Sequence, residues 1–137
     1  MSNTLAITFL APERAPLAIT ASEVILPGTE GLFTVMPGHT PFLTTLGPGL
    51  VQIAKEGGED DFYAVSGGIC EVADSSVVIL ADGFEHGSEI DLERAEQAHK
   101  RALAAIHAKP EQNELLLAEA AIARALARIQ AHKRDGL

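Results

Sequence analysis

Tryptophan is absent, cysteine and tyrosine occur once each, and aromatic residues make up only 4% of the 137-residue chain. A lone cysteine, Cys70, excludes an intrachain disulfide and any cysteine-rich zinc site, and it fits a reducing, cytosol-like compartment. Positive charge is also scarce. Ten Lys plus Arg face nineteen Asp plus Glu, for a formal net charge of −9. No nucleic-acid partner is expected, because affinity for a phosphate backbone comes from clustered cations. Residues 31–54 contain no Asp, Glu, Lys or Arg, yet they hold Pro37, Pro41 and Pro48. Each proline removes a backbone donor that lipid cannot replace, so the segment reads as strands and turns rather than a membrane span. The stretch up to Arg14 has no positive run ahead of its apolar residues and does not read as a signal peptide. Membrane association is expected only through a partner.

What is present suits a folded protein. Hydrophobic residues are 47% and charged residues 21%, and the length fits one domain or a small domain with an appendage. To about residue 84 the pattern is that of strands. Leu5, Ile7 and Phe9 alternate with Thr4, Ala6 and Thr8, and further short runs rich in β-branched or aromatic residues occupy 24–26, 32–36, 50–53, 62–65, 69–72 and 77–80. Turn signals separate them: Pro27-Gly28, Pro37-Gly38, Gly47-Pro48-Gly49, Gly57-Gly58, Gly67-Gly68 and the polar Asp74-Ser75-Ser76. Many short strands without intervening helices predict a β-sandwich or barrel.

From Asp91 the period changes. Ala95, Ala98, Ala102, Ala105 and Ile106 mark one helical face, and Leu115, Ala118, Ile122, Ala125 and Ile129 mark a second. Ser88 or Asp91 is expected to cap the first helix, and Pro110 to occupy the first turn of the second. A connection around residues 109–113 makes the two antiparallel neighbours. Thirteen of the 41 residues from 91 to 131 are alanine, so the hairpin is expected to be helical yet loosely held. Charge divides unevenly. Residues 1–84 carry two basic and ten acidic residues, whereas 85–137 carry eight and nine.

Catalytic patterns are missing. The five histidines form no i, i+4 pair on a helix, no Gly-rich Lys-Ser/Thr loop occurs, and Ser66 lacks the preceding glycine of a nucleophile elbow. Cys70 reads as a small buried apolar residue. No catalytic residue and no metal ligand is assigned, and the residues alone point to an interaction or regulatory protein.

Four stretches go further: residues 24–31 (VILPGTEG), 37–44 (PGHTPFLT), 66–72 (SGGICEV) and 80–82 (LAD). Together they resemble the epsilon subunit of F-type ATP synthases, across nearly the whole chain. The resemblance implies a mainly β fold with added α structure: an N-terminal ten-stranded β-sandwich over 1–84, then a C-terminal antiparallel two-helix hairpin over 85–137. It also implies a non-catalytic rotor subunit. The sandwich would bind the gamma subunit and the c-ring, and the hairpin would reach the alpha/beta catalytic hexamer and restrain ATP hydrolysis. Residence at the cytoplasmic face of the bacterial inner membrane, through the complex, follows. Glu30, Leu32 and His39 fall where partner contacts are expected. Leu32 and Thr34 depart from the acidic residue and glycine of many relatives, and Pro37-Gly38-His39 could equally serve backbone shape alone.

A second motif lies in the hairpin. Some bacterial relatives bind ATP through a sequence beginning Ile/Leu-Asp-x-x-Arg-Ala, and this chain reads Ile90-Asp91-Leu92-Glu93-Arg94-Ala95. Glu85, Arg101, Arg124 and Arg128 stand at matching positions. The resemblance implies ATP as a regulatory ligand, with no cofactor required. Arg94 and Arg101 share one helical stripe, and Arg124 and Arg128 form an i, i+4 pair expected opposite the apolar seam. Converging guanidiniums suit a polyphosphate, and ordinary solvated helix faces would look the same. The rival readings are a free-standing β-sandwich module for carbohydrate or peptide, which the shortage of aromatics disfavours, and a small esterase, which lacks a nucleophile with its base.

Overall fold

In the computed structural model, which describes residues 3–135, the alternating segment at the start forms β1 (Leu5–Leu10). Leu5, Ile7 and Phe9 point inward, as a period of two requires. Strands β2 (Leu17–Ala21), β3 (Glu23–Gly28), β4 (Gly31–Val35), β5 (Phe42–Ala54), β6 (Asp61–Ala73), β7 (Ser76–Ala81) and β8 (Phe84–His86) follow. A single 3₁₀ turn (Gly87–Glu89) leads to α1 (Leu92–His107) and α2 (Gln112–Arg134). Among the described residues the eight strands share one hydrogen-bonded network in the order β2-β1-β7-β6-β5-β3-β4, with β8 added to β6. Neighbours are antiparallel except β1 and β7, which run parallel. The sandwich encloses Leu5, Ile7, Phe9, Val24, Leu26, Val51, Ile53, Val72, Val77 and Ile79 in one core, with Phe9 stacked at 4.8 Å on Tyr63 and 4.9 Å on Phe84.

Eight strands replace the expected ten. Two of the expected turns, Gly47-Pro48-Gly49 and Gly67-Gly68, lie inside the 13-residue strands β5 and β6. Pairing of β5 with β6 runs straight through them, from Phe42↔Val72 by way of Leu46↔Gly68 and Pro48↔Ser66 to Ile53↔Asp61. Gly49 and Gly68 serve close approach rather than reversal. A Cβ on Gly68 would lie 2.1 Å from the Leu80 carbonyl oxygen, and at this point β6 exchanges its β7 partner for β8. The reversal expected near Asp74 is real and tighter than expected. Asp74 and Ser75 both take positive φ, the signature of a two-residue type I′ hairpin, and Ser76 already belongs to β7.

Residues 62–65 are all buried although they belong to one strand, because β6 is covered on both faces. Tyr63 and Val65 face the sandwich core, whereas Phe62 and Ala64 pack with Ile90, Ala95, Ala127 and Ala131 of the hairpin. The hairpin is thus folded down, with α2 against β5 and β6 and α1 against α2. Asp91 is the cap of α1, its Oδ1 accepting from Arg94 N at 3.2 Å. Ser88 instead sits in the 3₁₀ turn that His86 caps. Pro110 stands one residue before the Glu111 cap of α2, outside the first turn where it was expected. Lys109 takes the left-handed conformation just past the end of α1, which turns the chain back within four residues.

Candidate functional site

The end of the sandwich, at β8, and the side of α2 meet across a cleft of about 460 Å³. Its walls are apolar, from Val65, Phe84, Ala98, Ala121 and Ala125, and its charged groups are Arg14, Glu85, Arg124 and Arg128. Sequence periodicity placed Arg124 and Arg128 opposite the seam, toward solvent. Both line the cleft from the side of α2 that turns to the sandwich, with Arg124 exposed as expected and Arg128 partly buried. The helix buries two sides, one toward α1 and another, through Ala127 and Ala131, on β6. Arg128 straddles Glu85: Nη2 donates to Oε2 at 3.2 Å, and Nε stands 2.9 Å from Oε1 in an ionic contact. Both side chains are partly exposed, at 27% and 38%, so the pair positions more than it stabilises.

The six residues expected at a nucleotide do not all converge. Glu85, Arg124 and Arg128 line this cleft. Arg101 lines a neighbouring, more open cleft along the hairpin, which shares Ala98 and Ala121 with the first. Asp91 is committed to its helix cap, and Arg94 is exposed on the first turn of α1 and lines neither cleft. Arg14, between β1 and β2, was not singled out from the sequence. Its guanidinium lies 4.2 Å from the Phe84 ring centroid, Nη1 donates to the Phe84 carbonyl, and Nη2 is 3.8 Å from Glu89. One signal could have marked it: Arg14 and Lys55 are the only basic residues among the first 84.

Around the connection to the hairpin, polar contacts join the two parts. His86 Nε2 donates to Asp61 at 3.1 Å and lies 3.7 Å from Asp135, while His132 Nδ1 donates to the Gly87 carbonyl at 3.1 Å. The Arg134 guanidinium covers the Phe62 ring at 4.9 Å. No group of three or more His, Cys, Asp or Glu able to hold a metal occurs among the described residues. Cys70 is fully buried, and that burial pushes its thiol up to about 11, out of the reactive range.

The expected partner-contact residues lie at the far side of the chain order, in the β3–β5 segment. Glu30 is exposed in the β3–β4 turn and Leu32 is 75% exposed on β4. Pro37-Gly38 forms a type II turn, with Gly38 at φ 81 and His39 N donating to the Met36 carbonyl at 3.1 Å. His39 Nδ1 donates to the Thr40 carbonyl at 2.6 Å, and its ring lies 6.1 Å from Phe42. Met36, Phe42 and Leu43 are exposed nearby in sequence, and Ile69 and Leu80 form an exposed cross-strand pair.

Known proteins match both parts. Residues 4–87 match the family model of the ATP synthase delta/epsilon chain beta-sandwich domain, and residues 88–133 that of its long alpha-helix domain. An ATP synthase epsilon chain of Moorella thermoacetica is 39% identical over 127 residues, covering 93% of this chain and 95% of its own. One from Anaeromyxobacter sp. strain Fw109-5 is 40% identical over 126 residues, covering 91% and 95%. In fold, the chain resembles a component of the Euglena gracilis mitochondrial ATP synthase OSCP/F1/c-ring structure, with a TM-score of 0.82 at 24% identity over 98% of this chain and 84% of that one. A chain of the Tetrahymena thermophila mitochondrial ATP synthase central stalk and c-ring gives a TM-score of 0.66 at 16% identity, covering 93% and 96%. The chain belongs to the ATP synthase epsilon-chain family.

Proposed function

We propose that this epsilon chain, a non-catalytic subunit of the ATP synthase complex, links gamma to the c-ring through its sandwich during ion-driven ATP synthesis. Its hairpin restrains ATP hydrolysis by engaging the alpha/beta hexamer. The observation that carries this division of labour is the contrast in how the parts are held: a large apolar core inside the sandwich, and an alanine interface under the hairpin. That interface is small, with four alanines beside Phe62 and Ile90 in its buried cluster, so the hairpin can leave without unfolding what it leaves. The exposed Ile69–Leu80 pair and the exposed Leu32, Met36, Phe42 and Leu43 supply apolar surface for assembly, with Glu30 and His39 beside them. The hairpin holds eight of the ten basic residues and so suits acidic surfaces. No described helix is long and apolar enough to cross a membrane. In this reading the complex holds the chain at the cytoplasmic face of a bacterial inner membrane.

Deleting the residues after Gly87 in the assembled enzyme tests this reading. Gamma is expected to co-purify with the shortened chain while ATP hydrolysis rises. A soluble shortened chain that no longer holds gamma, or unchanged hydrolysis across nucleotide concentrations, overturns the corresponding half.

ATP serves as a regulatory ligand in this reading, favouring the folded-down hairpin. Support comes from the cleft of about 460 Å³, a size suited to a mononucleotide, in which Arg124 and Arg128 stand over apolar walls with Arg101 close by. Arg94 lies outside the cleft in this position of the hairpin, and Asp91 acts only by fixing the first turn of α1. Calorimetry of the full chain with millimolar ATP reads binding directly, with Arg124→Ala and Arg94→Ala as controls. Equal binding by both variants would reduce the arginines to a solvated face.

A further inference from the structure

We infer that Arg14 is the sandwich's own phosphate-binding residue in this cleft, so that a bound nucleotide bridges the sandwich and the hairpin instead of resting on the hairpin alone. The inference rests on the nucleotide reading of the cleft given above. Four observations carry it. The sandwich has ten acidic and two basic residues before residue 85, and one of those two cations lines the cleft that Arg124 and Arg128 line from α2. The other, Lys55, is engaged elsewhere, 3.4 Å from Asp61. Within the cleft three guanidiniums face one carboxylate, and that carboxylate, Glu85, is already taken by Arg128. Glu89, 3.8 Å from Arg14, is a second and looser ionic partner, and three guanidiniums against two carboxylates still leave an excess of positive charge, which in an otherwise acidic molecule marks a place for an anion.

Arg14 is also held ready. Its guanidinium stacks over Phe84 and donates to the Phe84 carbonyl, which fixes the plane of the fork. Glu13, just before it, takes φ 59, an uncommon conformation that sets the direction of the loop. Glu89 is 3.8 Å away, beyond hydrogen-bond distance, so most of the five guanidinium N–H donors remain free for phosphate oxygens. A fork fixed in advance loses little freedom when it binds.

The consequence is regulatory. Arg101, Arg124 and Arg128 all travel with the hairpin when it leaves the sandwich, so contacts to them alone give a ligand little reason to prefer one position. Arg14 stays behind. A ligand shifts a conformational equilibrium only through its differential affinity for the two states, and a phosphate held between Arg14 and the α2 arginines exists only in the docked state.

The test uses the full chain and three nucleotides, ATP, ADP and AMP. Arg14→Gln removes the charge and leaves a shorter polar side chain with an amide donor; Lys55→Gln is the control. Calorimetry gives affinity, and hydrogen exchange of the α2 amides gives docking. Arg14→Gln is expected to weaken ATP roughly tenfold or more and AMP far less, since a charge-assisted contact to phosphate is lost. Protection of α2 without nucleotide is expected to stay as in wild type, while the added protection by ATP disappears; Lys55→Gln changes neither. If wild type binds ATP and Arg14→Gln binds equally, or still gains protection with ATP, the Arg14 inference falls and the cleft reading stands. If α2 protection without nucleotide drops in Arg14→Gln and affinity falls equally for all three nucleotides, Arg14 is structural and the inference falls too. If wild type binds no nucleotide, both readings fall together.

Discussion

Every larger side chain that is fully enclosed, from Phe9, Leu5 and Ile7 to Val72 and Val77, belongs to the sandwich, whereas every buried residue of α1 and α2 is an alanine. Full burial of a Leu, Ile or Phe side chain contributes roughly 1.5–3 kcal/mol, and a methyl about 0.8 kcal/mol. Under the proposed function the two regions therefore separate two tasks. The sandwich must keep its shape under load, and large interdigitated side chains supply that. The hairpin must hold one position without being trapped in it, and an alanine face supplies contact with little commitment. Polar contacts, Glu85–Arg128 and His132 to the Gly87 carbonyl, then select the docked position among others of similar apolar area.

The comparison breaks first at glycines where backbones touch. At Gly68 an added Cβ would lie 2.1 Å from the Leu80 oxygen and 2.9 Å from the Ala81 Cα, with φ at 150. Gly68→Ala is expected to cost roughly 3 kcal/mol and to lower the urea midpoint of the sandwich, followed by far-UV circular dichroism. Gly47→Ala, with open space around the new methyl, is the matched control. At Gly87 the methyl would lie 2.3 Å from the Ala131 oxygen and 2.8 Å from the Asp135 Cβ. Gly87→Ala should push α2 off the sandwich, a loss of about 1–3 kcal/mol from docking, while the sandwich midpoint stays near wild type. Faster exchange of α2 amides with an unshifted midpoint is the expected pair of results; a fall in both would show the two parts to be one cooperative unit.

These two positions also show how far the sequence could be read. The alternation of Leu5, Ile7 and Phe9 identified a strand and its inner face without help. Gly67-Gly68 looked like a turn because a glycine pair reports only that side chains are unwelcome, and a close strand crossing excludes them as firmly as a reversal does. The helical period found the α1–α2 seam through Ala118 and Ala125, yet it could not show that Ala127 and Ala131 bury a second side on Phe62 and Ala64. That second side brings Arg124 and Arg128 to the cleft, Arg128 partly buried and Arg124 still exposed. Arg14 meets Phe84 across 70 residues of chain, and no local pattern encodes such a distance.

A smaller effect sharpens the comparison on the hairpin side. Glu85→Gln removes the ionic partner of Arg128 and leaves the packing alone. Because both side chains are partly exposed, the expected loss of docking is about 0.5–1 kcal/mol, read as a several-fold rise in α2 exchange that shrinks at high salt. Insensitivity to salt would assign the docking to the alanine face alone.

The smallest effect near neutral pH belongs to the sandwich, and it grows only in alkali. Burial pushes the Cys70 thiol up to about 11, and burial, followed by the charges of Asp61 and Glu89, pushes the Tyr63 hydroxyl up to about 12, with Arg14 acting the other way. Both groups favour the neutral form in the folded state. Above pH 9 the unfolded chain releases the Cys70 proton and above pH 10 the Tyr63 proton, while the folded chain keeps them. The folded state then binds more protons, so stability falls as pH rises, from about 9 to 11 for Cys70 and from about 10 to 12 for Tyr63. The urea midpoint of the sandwich should be flat with respect to these groups below pH 9 and decline beyond it. Cys70 lies in the inner core and Tyr63 meets His86 near the hairpin connection, with ring centroids 5.0 Å apart. Undocking by Gly87→Ala should therefore leave the reaction of Cys70 with a thiol reagent as slow as in wild type, limited by opening of the sandwich. Gly68→Ala should speed it. A fast Cys70 in the Gly87→Ala chain would mean that the hairpin helps to seal the inner core, and the separation of the two interiors would not hold.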